Sequence, residues 1–199
     1  MKRSYKNFIA AVSFPVLLVG VSGVASAACP DLNNPDPISV APDVRIPANA
    51  KIGAGTTLMT GVTLGSYSST GVCSAVATNG RLGARAGIGS LATVSADAAL
   101  GQYAWLGYAS TVGDRSHLGA YAKVLHNTTI GTDSSVGSRA YIGANDSIGN
   151  GTRIGQSANI GSNVTIGNDV RIGGFAKVCD GAVIGDGVTV AYRGKYGCY

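Results

Sequence analysis

The sequence predicts an all-β solenoid, and three regularities across residues 46–190 predict it. Stepping by six from Ile46 to Val190, every position met is Ile, Leu or Val, and Thr70 alone departs. The next residue is Gly in 18 of the 25 hexads. The residue four after each aliphatic is Ala, Ser, Thr, Val or Gly everywhere except at Asp146. A period of six matches neither a helix nor a simple alternating strand. It fits a short strand followed by a tight corner, repeated around a prism. The aliphatic points inward, its two neighbours point outward, and the small residue fills the inside of a corner. Gly, Asn and Asp crowd the turn positions, as corners with positive φ require. No insertion breaks the phase, so no loop is expected along the rod.

The hexads Ile130-Gly131-Thr132-Asp133-Ser134-Ser135 and Ile154-Gly155-Gln156-Ser157-Ala158-Asn159 share one pattern. It runs aliphatic, small or acidic, two free positions, small, free. In this the chain resembles the hexapeptide-repeat superfamily, over about three quarters of its length. The resemblance implies a left-handed parallel β-helix with three hexads per coil. Twenty-five hexads then make about eight coils, a rod of roughly 40 Å at about 4.8 Å per coil.

Residues 1–27 read as a secretion signal. Lys2, Arg3 and Lys6 precede an apolar stretch, and Ala25-Ser26-Ala27 supplies a small-x-small cleavage pattern. A periplasmic or secreted protein is expected. Removing the three bases of the signal takes the formal charge from +5 to +2. No Lys/Arg run with interleaved aromatics stands out, which gives nucleic-acid binding little support. No second apolar segment suggests a membrane span. All ten acids are Asp, and Asp97, Asp114, Asp133, Asp169, Asp180 and Asp186 fall at corner positions, where each is expected to cap its own turn. Residues 28–45 hold Pro30, Pro35, Pro37 and Pro42 and are expected to lie extended over the first coil as a cap. Residues 191–199 form a short C-terminal cap in the same reading.

Four cysteines in an exported chain point to two disulfides. With three hexads per coil, Cys73 and Cys179 stand about six coils, or roughly 29 Å, apart. A disulfide spans only about 4.4–6.8 Å between Cα atoms, and the tail after Val190 is too short to return Cys198 to the second coil. The expected pairs are Cys29–Cys73 and Cys179–Cys198, each stapling one end of the rod.

Residues 18 apart are expected to stack in columns. One outward column reads Thr57, Ala75, Thr93, Thr111, Thr129, Ser147, Thr165 and Val183. Flat Thr arrays serve ice-binding solenoids, typically in two ranks. Here the second rank turns to Gly after Ser95, and a single β-branched column packs on a sheet without any ligand. Ice or crystal-surface binding is therefore the third reading. A corner column holds Tyr67, Arg85, Tyr103, Tyr121, Arg139, Ser157 and Phe175, whose rings and guanidinium groups can pack on one another. With the adjacent face, Tyr103, Trp105, Tyr108, Tyr121, Leu125 and Tyr141 make an expected exposed aromatic patch. Such patches mark interfaces or ligand grooves. The superfamily resemblance implies two further copies of the chain as partner, so a homotrimer contact is expected there.

The string Val124-Leu125-His126-Asn127-Thr128-Thr129-Ile130-Gly131 resembles the active-site strand of the UDP-3-O-acylglucosamine N-acyltransferases of lipid A synthesis. In that family this His is the general base that takes a proton from the attacking amine, so the resemblance implies that role for His126. Tyr108 is expected beneath His126 and Ala144 above it. Leu125 stands where the family has a small residue, and no loop interrupts the hexads. The acyl donors of such enzymes are cytoplasmic, whereas the signal directs this chain outward. γ-Class carbonic anhydrases share the superfamily fold and use three His, but this chain has only His117 and His126, on different faces. No metal and no cofactor is expected. Asp146, at an inward corner position, is expected to bond buried amides or a hydroxyl. The first reading is an exported, disulfide-capped, non-catalytic binding or structural module that self-associates through the aromatic patch. The second is a hexapeptide-repeat acyltransferase using His126 at a subunit interface.

Overall fold

A computed structural model describes residues 37–198, which form 25 two-residue strands. The strands stack into three parallel sheets, the faces of a triangular prism. Face A holds nine strands, from Ser39–Val40 to Val183–Ile184. Face B holds eight, from Thr63–Leu64 to Thr189–Val190, and face C eight, from Ser69–Thr70 to Lys195–Tyr196. The chain visits A, B and C in turn, and each strand pairs with those three hexads before and after it. Leu106, for example, lies beside Ile88 and Val124. This is the all-β solenoid that the hexads predict and the left-handed parallel β-helix that the resemblance implies, with no loop along it. The ladder runs beyond 46–190 at both ends. Ser39–Val40 pairs with Thr57–Leu58, and Lys195–Tyr196 with Lys177–Val178. Val40 and Tyr196 are in phase with the hexads, so these terminal stretches continue the coil, and face A gains a ninth strand where about eight coils were expected. Residues 1–36, with the expected signal, lie outside the described residues.

Burial follows the period. The inward aliphatics from Leu58 to Val190 are buried, with Ile88, Leu106, Ile130 and Ile160 among the largest fully enclosed. Each such side chain removed from water contributes roughly 1.5–3 kcal/mol. Val40 and Ile46, at the open N-terminal end, remain exposed at 42% and 40%. The small inward positions do two kinds of work. At the corner between faces B and C they are mostly Ala, from Ala86 to Ala176, and simply fill space. At the other two corners hydroxyls link the coils. Ser110 Oγ accepts from Thr128 N at 3.0 Å and donates to the Leu125 carbonyl at 2.7 Å. Thr128 Oγ1 in turn donates to the Gly143 carbonyl at 2.9 Å. Thr70, the one exception among the aliphatics, joins such a set: its Oγ1 accepts from Gly53 N and sits 3.2 Å from Thr56 Oγ1.

Every sixth residue from Gly55 to Arg193 has φ between 52° and 73°. The amide just before this residue is the one that the ladder leaves over, and at several AB and CA corners a side chain from the next coil takes it up. Asp114 Oδ1 accepts from Ala96 N at 3.0 Å, Asp180 Oδ1 from Ser162 N at 2.8 Å, and Asp186 Oδ1 from Asn168 N at 2.6 Å. These Asp residues thus cap the turn one coil below, rather than their own. Corners stack at coil spacing, and a short carboxylate reaches that neighbour.

Cys179 and Cys198 form the expected disulfide, with Cα atoms 5.2 Å apart, and tie the final strand to the coil beneath it. Cys73 is buried and disulfide-bonded. Its expected partner Cys29 lies outside the described residues.

The glycines that follow the aliphatics answer to close approach rather than to φ. A Cβ on Gly119 would stand 2.5 Å from Ser138 N and 2.7 Å from the Gly137 carbonyl carbon. Gly185 belongs to the last coil of face A and meets nothing within 4 Å. Gly119→Ala is therefore expected to lose roughly 1–3 kcal/mol by forcing two coils apart. Gly185→Ala is expected to stay within about 0.5 kcal/mol of wild type. Denaturant midpoints of the two variants check this, and equal losses would contradict it.

Candidate functional site

The three corners meet one backbone requirement with different residues. Between faces A and B the left-handed position is Gly, Asn or Asp in seven of eight coils, with Arg115 the exception. Between C and A it is Gly or Asn in five of eight. Between B and C it reads Tyr67, Arg85, Tyr103, Tyr121, Arg139, Ser157, Phe175 and Arg193, with φ of 54–60° and no Gly, Asn or Asp. A left-handed backbone disfavours such side chains by roughly 1 kcal/mol each. Their presence in all eight coils calls for another reason than the turn.

These side chains stack on one another along the rod. Tyr103 and Tyr121 lie face to face, with centroids 4.8 Å apart and planes 9° from parallel. Arg85 sits between Tyr67 and Tyr103, 5.4 and 5.3 Å from their centroids, and donates to the Tyr103 hydroxyl at 2.6 Å. Arg139 covers Tyr121 at 5.9 Å, and Arg193 lies over Phe175 and Tyr192. Rings hold the guanidinium groups in fixed positions, and cation–π attraction contributes about 0.5–1 kcal/mol at such exposed sites.

On face C, Trp105 and Tyr141 flank Lys123 in register. The benzo edge of Trp105 lies across Gly87, where a Cβ would come within 2.6 Å of the ring. Trp105 nevertheless stays 43% exposed. Tyr108, Tyr121 and Tyr141 are also exposed, whereas Tyr103 and Leu125 are half-buried. The six expected patch residues therefore divide among the BC corner (Tyr103, Tyr121), face C (Trp105, Leu125, Tyr141) and the CA corner (Tyr108).

His126 stands exposed at the CA corner, one coil above Tyr108, whose carbonyl accepts from Asn127 N, and one below Ala144. Asn127 Nδ2 lies 3.3 Å from His126 Nδ1 and 3.2 Å from Asn145 Oδ1. An amide that donates to Nδ1 leaves the ring proton on Nε2. His117 lies on face B between Ala99 and Ser135, away from His126. The Thr column runs along face A, as the stacking of coils requires.

The stacking also reveals a distribution of charge that is hard to see in the linear sequence. Face B carries Arg45, Arg81, Arg153 and Arg171. The BC corner carries Arg85, Arg139 and Arg193. Face C carries Lys51, Lys123, Lys177 and Lys195. All eleven are exposed, and among the described residues no Asp lies on these two faces or at the corner between them. The outward acids stand elsewhere, all at the AB corner apart from Asp180 at the CA corner. Among the described residues the ion pair present is Arg115–Asp133, at 2.7 Å on the AB corner. It holds the Arg115 pKa above its ordinary value and the Asp133 carboxyl below its own. A Lys/Arg cluster with interleaved aromatics thus exists in space, though none stands out in sequence. Reading charge, as well as Thr and aromatics, down the columns of stacked coils would have found it.

These coils define a class: a hexapeptide β-solenoid with one chemically distinct edge. Residues 109–144, 147–179 and 163–193 match the family described as Bacterial transferase hexapeptide (six repeats). The matched stretches carry the same hexads on which the sequence resemblance rests, and His126 falls within the first of them. Among solved structures, UDP-N-acetylglucosamine acyltransferase from Campylobacter jejuni is similar at 16% identity and a TM-score of 0.63, covering 77% of this chain and 68% of that one. LpxA from Acinetobacter baumannii is similar at 14% identity and a TM-score of 0.58, covering 81% and 67%. At such identities the likeness is one of fold. No relative among curated proteins matches the chain in sequence. Among the described residues no helix is long and apolar enough to cross a membrane.

Asp146 is the one buried carboxylate among the described residues. Its Oδ1 accepts from Val164 N at 2.7 Å, while Oδ2 is buried with no hydrogen-bond partner. Burial raises its pKa from 3.8 to about 6, against the pull of the Val164 amide and with a small push from Asp180. The folded pKa lies above the unfolded one, so the proton stabilises the fold. That contribution is complete below about pH 4 and is lost as pH rises through about 6. Asp146→Asn keeps an acceptor for Val164 N and cannot ionise. It is expected to exceed wild type in stability by roughly 1–3 kcal/mol at pH 7.5 and to lose that lead at pH 4. Urea titrations at the two pH values measure the gap, and a gap independent of pH would contradict the assignment.

Proposed function

We propose that the protein is an exported, disulfide-stapled β-solenoid that binds a ligand along its BC corner and face C without transforming it. The BC column carries this reading: seven of its eight left-handed corners place a ring or a guanidinium group where Gly, Asn or Asp would suit the turn, Ser157 being the eighth. Departures from local preference are expected where function imposes them. Export is supported by the basic start, the apolar stretch and Ala25-Ser26-Ala27. The Cys179–Cys198 bridge fits an oxidising compartment. A homotrimer closed through the same aromatics competes for this surface. Burying unpaired cations against copies of the chain is costly unless acids meet them, so ligand contact is the better use of the surface.

The second reading is an acyltransferase with His126 as general base at a trimer interface. The family match across 109–144 and the exposed ring beside Asn127 favour it. The acyltransferase fold neighbours add the architecture alone.

Light scattering on the mature, non-reduced protein separates the two. The binding-module reading expects the mass of one chain, unchanged in Trp105→Ala. A trimer that Trp105→Ala dissociates would make the aromatics a self-contact and overturn the reading. The acyltransferase alternative would then be assayed with His126→Ala as the control.

A further inference from the structure

We infer that the BC corner and the two faces beside it bind a linear acidic polysaccharide laid along the rod axis; this rests on the binding-module reading. Eleven exposed cations share that surface, Asp43 and Asp180 reach only its borders beside Arg45 and Lys177, and the ion pair present lies at the AB corner. The outward acids have structural work. Asp114, Asp180 and Asp186 cap amides of the coil below, and Asp133 holds Arg115. Arg85, Arg139 and Arg193 pack on rings, but among the described residues no carboxylate pairs with any of the eleven, and some stand where the fold alone would disfavour them. Arg153 is directly beside Arg171, and Lys177 beside Lys195, in register. Like charges so placed repel and destabilise a sheet. A polyanion removes that repulsion.

The shape of the charge selects a long partner. Cations recur from Arg45 to Lys195, along a rod of roughly 40 Å, whereas a small anion would need only one cluster. The rings select sugar over nucleic acid. Binding of single strands uses open ring faces on which bases stack. Here the Tyr103 and Tyr121 faces are occupied by each other, and Arg85 and Arg139 cover their outer sides. What remains outward is ring edge, hydroxyl and guanidinium N–H, donors suited to carboxylates and sugar hydroxyls. Trp105, laid across Gly87 and open to solvent, offers a flat surface for a pyranose ring.

Trp105 is the sole tryptophan, so its fluorescence reports on this surface directly. The test titrates the mature, non-reduced chain with polygalacturonate, with neutral dextran and with single-stranded oligothymidylate. Polygalacturonate is expected to change Trp105 emission and to bind about tenfold more weakly when salt rises from 20 to 300 mM. The triple variant Arg81→Gln/Arg139→Gln/Arg171→Gln is expected to weaken binding about tenfold or more. Arg115→Gln, at the AB corner where Asp133 already neutralises the guanidinium, is expected to leave it unchanged. Tighter binding of the oligonucleotide would overturn the choice of polysaccharide. Binding of dextran alone would remove the acidic ligand and keep the module. Failure of all three probes would overturn this inference, and the mass measurement would then decide the module reading separately.

Discussion

A left-handed turn at every sixth residue is the constraint on which this rod depends. Once φ is positive there, each strand is cut to two residues and the chain must change face. Three such changes return it to the starting face, three hexads later and one coil higher. Parallel pairing then brings backbones so close that a Cβ after most aliphatics would strike the next coil, and glycine follows. The same closeness lets Asp114 or Asp186 reach the spare amide of the coil beneath. Strand length, glycine placement and capping are one geometric fact seen three ways.

Because the corners are equivalent in backbone, differences among them carry information about something else. Two corners mostly use residues that tolerate the turn, with Cys73, Leu91, Ala109 and Arg115 as exceptions, and the BC corner uses Tyr, Arg, Phe and Ser throughout. Acids and bases divide along the same lines. Several carboxylates sit where amides need acceptors, and the cations of faces B and C sit where, among the described residues, no carboxylate pairs with them. The fold accounts for the first set and not for the second.

Much of this was legible in the sequence. Ile130, Ile154 and their equivalents announced the period, and the spacing of Cys179 and Cys198 announced the C-terminal staple. Asp146 was visible as the odd inward residue, though its raised pKa and the bond to Val164 needed coordinates. The site was less legible. Arg81 and Arg153 are far apart in sequence and share a column only because coils stack. Trp105 reads as one member of a patch until its ring is seen to lie across Gly87. The first strand, Ser39–Val40, was hidden among prolines, although Val40 keeps the phase. Period and handed corners are local properties that a sequence displays, whereas charge segregation is a property of three-dimensional columns.

On these contacts the fold depends on its corner carboxylates and not on the cations of faces B and C. Guanidinium denaturation of two triple variants tests it most directly. Arg81→Gln/Arg153→Gln/Arg171→Gln is expected to match or exceed wild type, since it relieves like-charge contacts. Asp114→Ala/Asp180→Ala/Asp186→Ala is expected to lose about 1 kcal/mol per site, as capped amides become unpaired. If the basic triple unfolds as early as the acidic one, the cations are structural and the two sets of charges do not divide the work in this way.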